Sequence, residues 1–93
     1  MKVELETQVL EFVRRLPPDP KKLLRQALRD LERERGDIEP LEPPLEGFYR
    51  LAVAGYRVIL SYPKAGVVRG EFAERRPLVY TLFEEEVLRR LGR

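Results

Sequence analysis

Arg50 and Arg57 flank Ala54-Gly55, and Arg69, Arg75 and Arg76 follow before Tyr80. Histidine and cysteine are both absent. That removes the usual general base, thiol chemistry and the commonest metal ligand. Arginine forks suit phosphate oxygens and stabilise negative charge that grows in a transition state. A base in such a site would have to be Tyr or Glu. A free tyrosine titrates near ~10, and neighbouring arginines favour its anion. RNA carries its own nucleophile, the ribose 2′-OH. Arginines with one weak base could therefore cleave RNA without a metal, by 2′-OH attack on the next phosphorus. Any one of these arginines, alone on a strand, is ordinarily a solvated outer-face residue, and a lone tyrosine ordinarily packs. Tyr49, Tyr56 and Tyr62 are read that way. What raises the group above the ordinary is several arginines gathered on one face. No zinc, calcium, P-loop or Ser-His-Asp spacing is present, so neither a metal nor a cofactor is expected.

The gathering depends on a hairpin. Gly47 to Leu60 reads as two strands around the two-residue loop Ala54-Gly55. That loop pairs Val53 with Tyr56, Ala52 with Arg57, Leu51 with Val58 and Arg50 with Ile59. Alternation then puts Leu51, Val53, Tyr56, Val58 and Leu60 on an apolar face. Arg50, Ala52, Arg57 and Ile59 share the other, open face. Arg50 and Arg57 become diagonal neighbours, roughly 7–8 Å apart at the backbone. Two cations so close repel unless an anion lies between them. A three-residue loop Lys64–Gly66 would pair Pro63 with Val67 in the next hairpin. Val68, Gly70 and Phe72 would then face the core, and Arg69, Glu71, Ala73 and Arg75 would join Arg50 and Arg57.

Upstream, Lys2 to Glu6 reads as a short strand expected to join the sheet. Gln8 to Leu16 has the helical apolar period and stops at Pro17-Pro18. Asp19 as N-cap and Pro20 as first residue open a second helix. Its stripe is Leu23, Leu24, Ala27, Leu28 and Leu31, with Gly36 as C-cap. This helical hairpin is expected to cover the apolar face. Ile38 to Glu46, with Pro40, Pro43 and Pro44, reads as loop. Thr81 to Glu84 reads as a capping box opening a last helix, Thr81–Leu91, with Glu84 to Glu86 in its first turn and Arg89, Arg90 and Arg93 near its end. The expected fold is α+β: one domain, 1–93, with a small twisted antiparallel sheet, a helical hairpin on one face and a short C-terminal helix.

The charge is uneven. Residues 1–49 hold 9 basic and 11 acidic side chains, whereas 50–93 hold 9 basic and 5 acidic. The basic excess thus falls on the half carrying the hairpin, which favours an anionic partner. No apolar run approaches a membrane span and no signal peptide is visible, so a cytoplasmic location and no membrane partner are expected.

In its "LPPDPKKLLRQAL", "LEPPLEGFYRLAVAGYRVILSY" and "AERRPLVY" segments the sequence resembles the RelE/ParE toxin superfamily of toxin–antitoxin systems. The resemblance implies a small twisted antiparallel sheet with a helical hairpin on one face. For the RelE-like branch it implies a ribosome-dependent endoribonuclease that cuts mRNA in the A site. By position, Arg57 matches the arginine that stabilises the phosphate transition state. Arg50 takes the place of a lysine that contacts substrate and activates the nucleophile. Tyr80 matches the late catalytic tyrosine. Arg76, with Arg75 the alternate, fits the arginine acting as general acid. Arg50, Arg69 and Arg75 are expected to bind RNA. Ala52 stands where the RelE-like pattern has a second lysine. The ParE branch shares the fold, lacks this set and poisons DNA gyrase instead. A binding homologue that no longer cuts is a third reading. The implied partners are a cognate antitoxin, the ribosome and mRNA, with operator DNA reached only through the antitoxin complex. The antitoxin is expected to cover the basic face or to displace the closing helix.

Overall fold

The computed structural model describes residues 1–92; Arg93, expected near the last helix end, lies outside the described residues. The elements run β1 (Lys2–Leu5), α1 (Thr7–Arg14), α2 (Pro18–Asp30), a 3-10 turn (Leu31–Arg33), β2 (Asp37–Pro40), β3 (Tyr49–Val53), β4 (Tyr56–Lys64), β5 (Val67–Arg75) and α3 (Arg76–Leu91). The strands form one sheet in the order β1-β5-β4-β3-β2. Four of its strands pair antiparallel, but β1 runs parallel to β5. The sheet is therefore mixed. The helical pair α1–α2 carries the chain from β1 at one edge of the sheet to β2 at the other, and β5 then returns to lie beside β1.

The first hairpin has the expected register, from Val53 opposite Tyr56 to Arg50 opposite Ile59. In its turn the left-handed backbone falls on Ala54 (φ 52°) and not on Gly55. The second hairpin differs from the expected one. Lys64 pairs with Val67 around Ala65-Gly66, and a bulge then restores the expected pairs Ser61–Arg69 and Leu60–Gly70. A second irregularity follows at once, because Ile59 pairs with Phe72 and leaves Glu71 as an extra residue. One extra residue reverses the faces of everything beyond it. Ala73 consequently lies in the core under α1 and α2, whereas Phe72 turns to the opposite side. Arg75, opposite Tyr56, also moves off the Arg57 face.

The larger core is the one read from the hairpin. Leu51, Val58, Leu60 and Val68 pack against Val9 and Val13 of α1 and Leu24 and Leu28 of α2. The α2 helix opens with Pro18 at its first position and Asp19 in its first turn, so the N-cap is Pro17 and not Asp19. Leu23, expected in the stripe, is exposed. The chain leaves the 3-10 turn through a left-handed Glu34, not through Gly36. Gly36 is required for another reason: it has φ 149°, and an added Cβ would meet Leu51 Cδ1 at 2.7 Å. The Gln8 amide extends the parallel pairing past the end of β1. It donates to the Ala73 carbonyl at 2.7 Å and accepts the Ala73 N–H at 2.8 Å.

The other face is not open. It carries a second core of Leu45, Ile59, Val79 and Phe83, edged by Phe48 and Phe72. Residues 41–48 fold onto this face instead of looping free, and Asp37 to Pro40 is a strand, contrary to the loop expected there. Proline permits this because β2 is an edge strand with only β3 beside it. The last helix begins at Arg76 with Pro77 in its first turn, five residues before the expected start at Thr81. Phe83 anchors it, edge-on to Phe48 at a ring-centroid distance of 4.9 Å. Phe83 is fully buried. Its truncation to Ala should remove about 3–5 kcal/mol, much of the roughly 5–14 kcal/mol that a domain this size possesses. Urea denaturation of Phe83→Ala should show a midpoint reduced by at least about a fifth. A change below about 1 kcal/mol would mean that α3 is not seated by this residue.

Candidate functional site

Pairing across β2, β3, β4 and β5 sets two adjacent rows on the α3 side of the sheet. One row is Glu39, Arg50, Ile59 and Phe72; the other is Asp37, Ala52, Arg57 and Glu74. Arg50 and Arg57 are thus the diagonal neighbours the register requires. Their surroundings differ. The Arg50 guanidinium lies 2.8 Å from Glu39 Oε2 and 3.5 Å from Asp37 Oδ1, and it donates to the Asp37 carbonyl. The anion beside the paired cations is therefore supplied by the chain itself. Reading Ile38 to Glu46 as loop hid the strand that carries these carboxylates; the signal available was the alternation Asp37-Ile38-Glu39 beside a hairpin edge.

Arg57 has no carboxylate within ion-pair distance among the described residues. Its Nη1 donates to the Ala54 carbonyl at 2.9 Å and the Tyr56 carbonyl at 2.8 Å. These bonds fix the guanidinium against its own turn without cancelling its charge. The same turn is tied to α3, because the Arg76 N–H donates to the Gly55 carbonyl at 2.9 Å. The positive end of the α3 dipole thereby lies beside Arg57. Arg76 is exposed on the first turn of α3. Tyr80 is one turn on, on the same flank of the helix, half-buried against the Ile59–Phe83 cluster. The fold therefore brings Arg57, Arg76 and Tyr80 to one end of the sheet.

It does not bring Arg69 or Arg75 there. Arg69 sits toward the far end of β5, roughly 15 Å along the strand from the residue opposite Arg57. Its guanidinium donates through Nε and Nη2 to Glu4 Oε1 at 3.2 and 3.0 Å. That hydrogen bond holds the Glu4 carboxyl below the usual carboxylate range and pushes Arg69 up. Arg75 faces the α1 side, where it lines a cleft with Phe12, Leu16 and Tyr56. The Glu71 bulge is the cause of the Arg75 displacement. Glu71 itself is buried, accepting from the Ser61 hydroxyl at 2.6 Å and from Arg90 at 3.1 Å, and it pins the far end of α3 to the sheet. Clefts of about 570 and 610 Å³ open on the α1 side, neither of them lined by Arg57, Arg76 or Tyr80. The arginine face is a surface and not a small-molecule pocket. Among the described residues no group of carboxylates is arranged to hold a metal ion.

No protein-family model matches the chain, and no curated protein matches it in sequence. Solved structures do match. The RelBE2 toxin–antitoxin complex of Mycobacterium tuberculosis contains a chain that superposes with a TM-score of 0.67 at 24% identity, covering 81% of this chain and 90% of that one. The YoeB/ParE toxin of Agrobacterium tumefaciens gives 0.66 at 18% identity, covering 82% and 99%. The RelB–RelE antitoxin–toxin complex of Methanococcus jannaschii gives 0.63 at 11%, covering 80% and 91%. The chain has the RelE/ParE toxin fold.

Within this RelE/ParE fold, the hairpin carrying Arg50 and Arg57 is central in the sheet, and α3 closes the face beside it. Ala52 occupies the place between Asp37 and Arg57, so no second cation reinforces Arg57 from that side. No helix among the described residues is long and apolar enough to cross a membrane. The commitment of Arg69 to Glu4 has a pH signature. Glu4 has a lowered folded-state pKa, so the stability it contributes is present above the unfolded carboxyl value and is lost as pH falls through the folded one. Glu4→Gln should therefore melt below wild type at pH 7, and the gap should narrow progressively as pH falls below the unfolded carboxyl value and through the lower folded one. A gap that stays constant across this range would show that the Glu4 charge is not what holds Arg69.

Proposed function

We propose that the protein is the toxin of a type II toxin–antitoxin pair and that it cleaves mRNA on the ribosome without a metal. The observation that carries the reading is Arg57: a guanidinium in no ion pair, fixed to its own turn beside the start of α3, while Glu74 opposite it is turned to Arg75, with Arg76 and Tyr80 one helical turn apart. The fold it shares with solved toxin–antitoxin chains supports the same reading. A cytoplasmic site of action and a cognate antitoxin that masks the basic face go with it.

The step is an in-line displacement. The ribose 2′-oxygen attacks the adjacent phosphorus as its proton passes to a base, for which Tyr80 is the group at hand. The bond to the 5′-oxygen breaks, and that oxygen takes a proton from the Arg76 guanidinium, which solvent then restores as Tyr80 gives up the 2′ proton. The products are a 2′,3′-cyclic phosphate and a 5′-hydroxyl. Arg57 stabilises the extra negative charge on the phosphoryl oxygens, an effect worth ~10²–10³ in rate for one well-placed donor. Proton transfer by Tyr80 is worth ~10²–10⁴.

Induction of the protein should arrest growth and leave mRNA cut within ribosome-bound codons. Arg57→Ala should lower cleavage by ~10²–10³ and Tyr80→Phe by ~10²–10⁴, with the fold retained by circular dichroism. A fully toxic Arg57→Ala would remove Arg57 from the chemistry. Inhibited gyrase supercoiling with intact mRNA would instead establish the binding role of the ParE branch.

A further inference from the structure

Arg50 is an enclosed cation held by two well-solvated anions. Its side chain is 19% exposed, against 65% for Asp37 and 64% for Glu39. One guanidinium facing two carboxylates leaves that corner of the face acidic, while Arg57 in the adjacent row keeps its full charge. We propose that Asp37 and Glu39 set the anion affinity of the face by occupying Arg50, so that a substrate phosphate must displace them to reach its guanidinium. The inference rests on RNA being the substrate and names the residues that tune its binding.

The energetics favour a displaceable clamp. Ion pairs to solvated carboxylates are weak, each worth no more than about a five-fold change in an equilibrium constant. They are strong enough to lower affinity and too weak to exclude phosphate. The arrangement is also separable from the fold. The β2 strand is held to β3 by backbone pairing from Asp37–Ala52 to Pro40–Tyr49. The Asp37 carbonyl accepts from Arg50 Nη1 at 3.2 Å whatever the side chain carries. Amide replacements therefore remove the charges while leaving the guanidinium in place. Asp37 and Glu39 act through Arg50 and are positioning residues, not catalytic ones.

The test is binding of a short single-stranded RNA, followed by fluorescence anisotropy over a range of salt concentrations. The proteins compared are wild type, Asp37→Asn/Glu39→Gln, Arg50→Gln and the triple variant. The double variant should bind about three- to ten-fold tighter than wild type. Its plot of log affinity against log salt should steepen by about 0.7, one added phosphate contact on a single strand. The gain should vanish in the Arg50→Gln background. Unchanged or weaker binding by the double variant overturns the proposal. So does a gain that persists without Arg50, because the carboxylates would then act by general repulsion. Failure of the underlying reading looks different: ribosome-bound mRNA stays uncut by wild type and double variant alike, whatever the oligonucleotide binding shows.

Discussion

One extra residue in β5 decides how this sheet is used. Without Glu71 out of register, Phe72 would point to α1 and α2 with Val68. With it, Phe72 joins Ile59 on the opposite face, and the sheet gains an apolar seat for Phe83 of α3. The two faces then carry unequal cores, a large one under the helical pair and a small one under α3. The small core covers only part of its face. What it leaves uncovered is the end of the hairpin, where Arg57 bonds the Ala54 and Tyr56 carbonyls and the first turn of α3 bonds the Gly55 carbonyl between them. The same Glu71 carboxylate, buried and bonded to Arg90, holds the other end of the helix. A buried carboxylate paired in this way is costly to leave alone, which ties the helix position to the bulge.

The electrostatics of the exposed end follow from this geometry. Four arginines are near one another in sequence pattern, but the fold separates their roles. Arg69 closes β1 onto β5 through Glu4, Arg50 is clasped by β2, and Arg75 turns to the α1 side. Arg57 alone of these keeps its charge on carbonyl partners, which orient it without neutralising it. A site that recruits phosphate needs such a cation more than it needs a high count of them.

The hairpin register was legible in the sequence because a two-residue loop and strict alternation leave only one arrangement with Leu51, Val58 and Leu60 buried together. The helical pair was legible from its 3.6-residue period to within two residues, except at the end of α2, which stops at Asp30 and tightens into a 3-10 turn well before Gly36. The bulge was not. A single-residue insertion has no signature when both candidate core residues, Phe72 and Ala73, are apolar. That one error put Arg75 on the wrong face. The start of α3 was misplaced because Thr81 to Glu84 satisfies a capping box locally, while burial of Val79 extends the helix back to Arg76. The β2 strand was hidden by its prolines, which an edge strand tolerates. The Arg50 clasp went unseen with it, since its two carboxylates lie on that strand.

The account turns on 2′-OH attack supported by Arg57 and needing no metal. The most direct measurement is the chemistry of the cut ends. RNA cleaved on ribosomes by the purified protein in chelator is analysed by mass spectrometry. The account predicts 2′,3′-cyclic phosphate upstream and 5′-hydroxyl downstream of each cut. Ends bearing 3′-hydroxyl and 5′-phosphate, or cleavage that chelator abolishes, would contradict it.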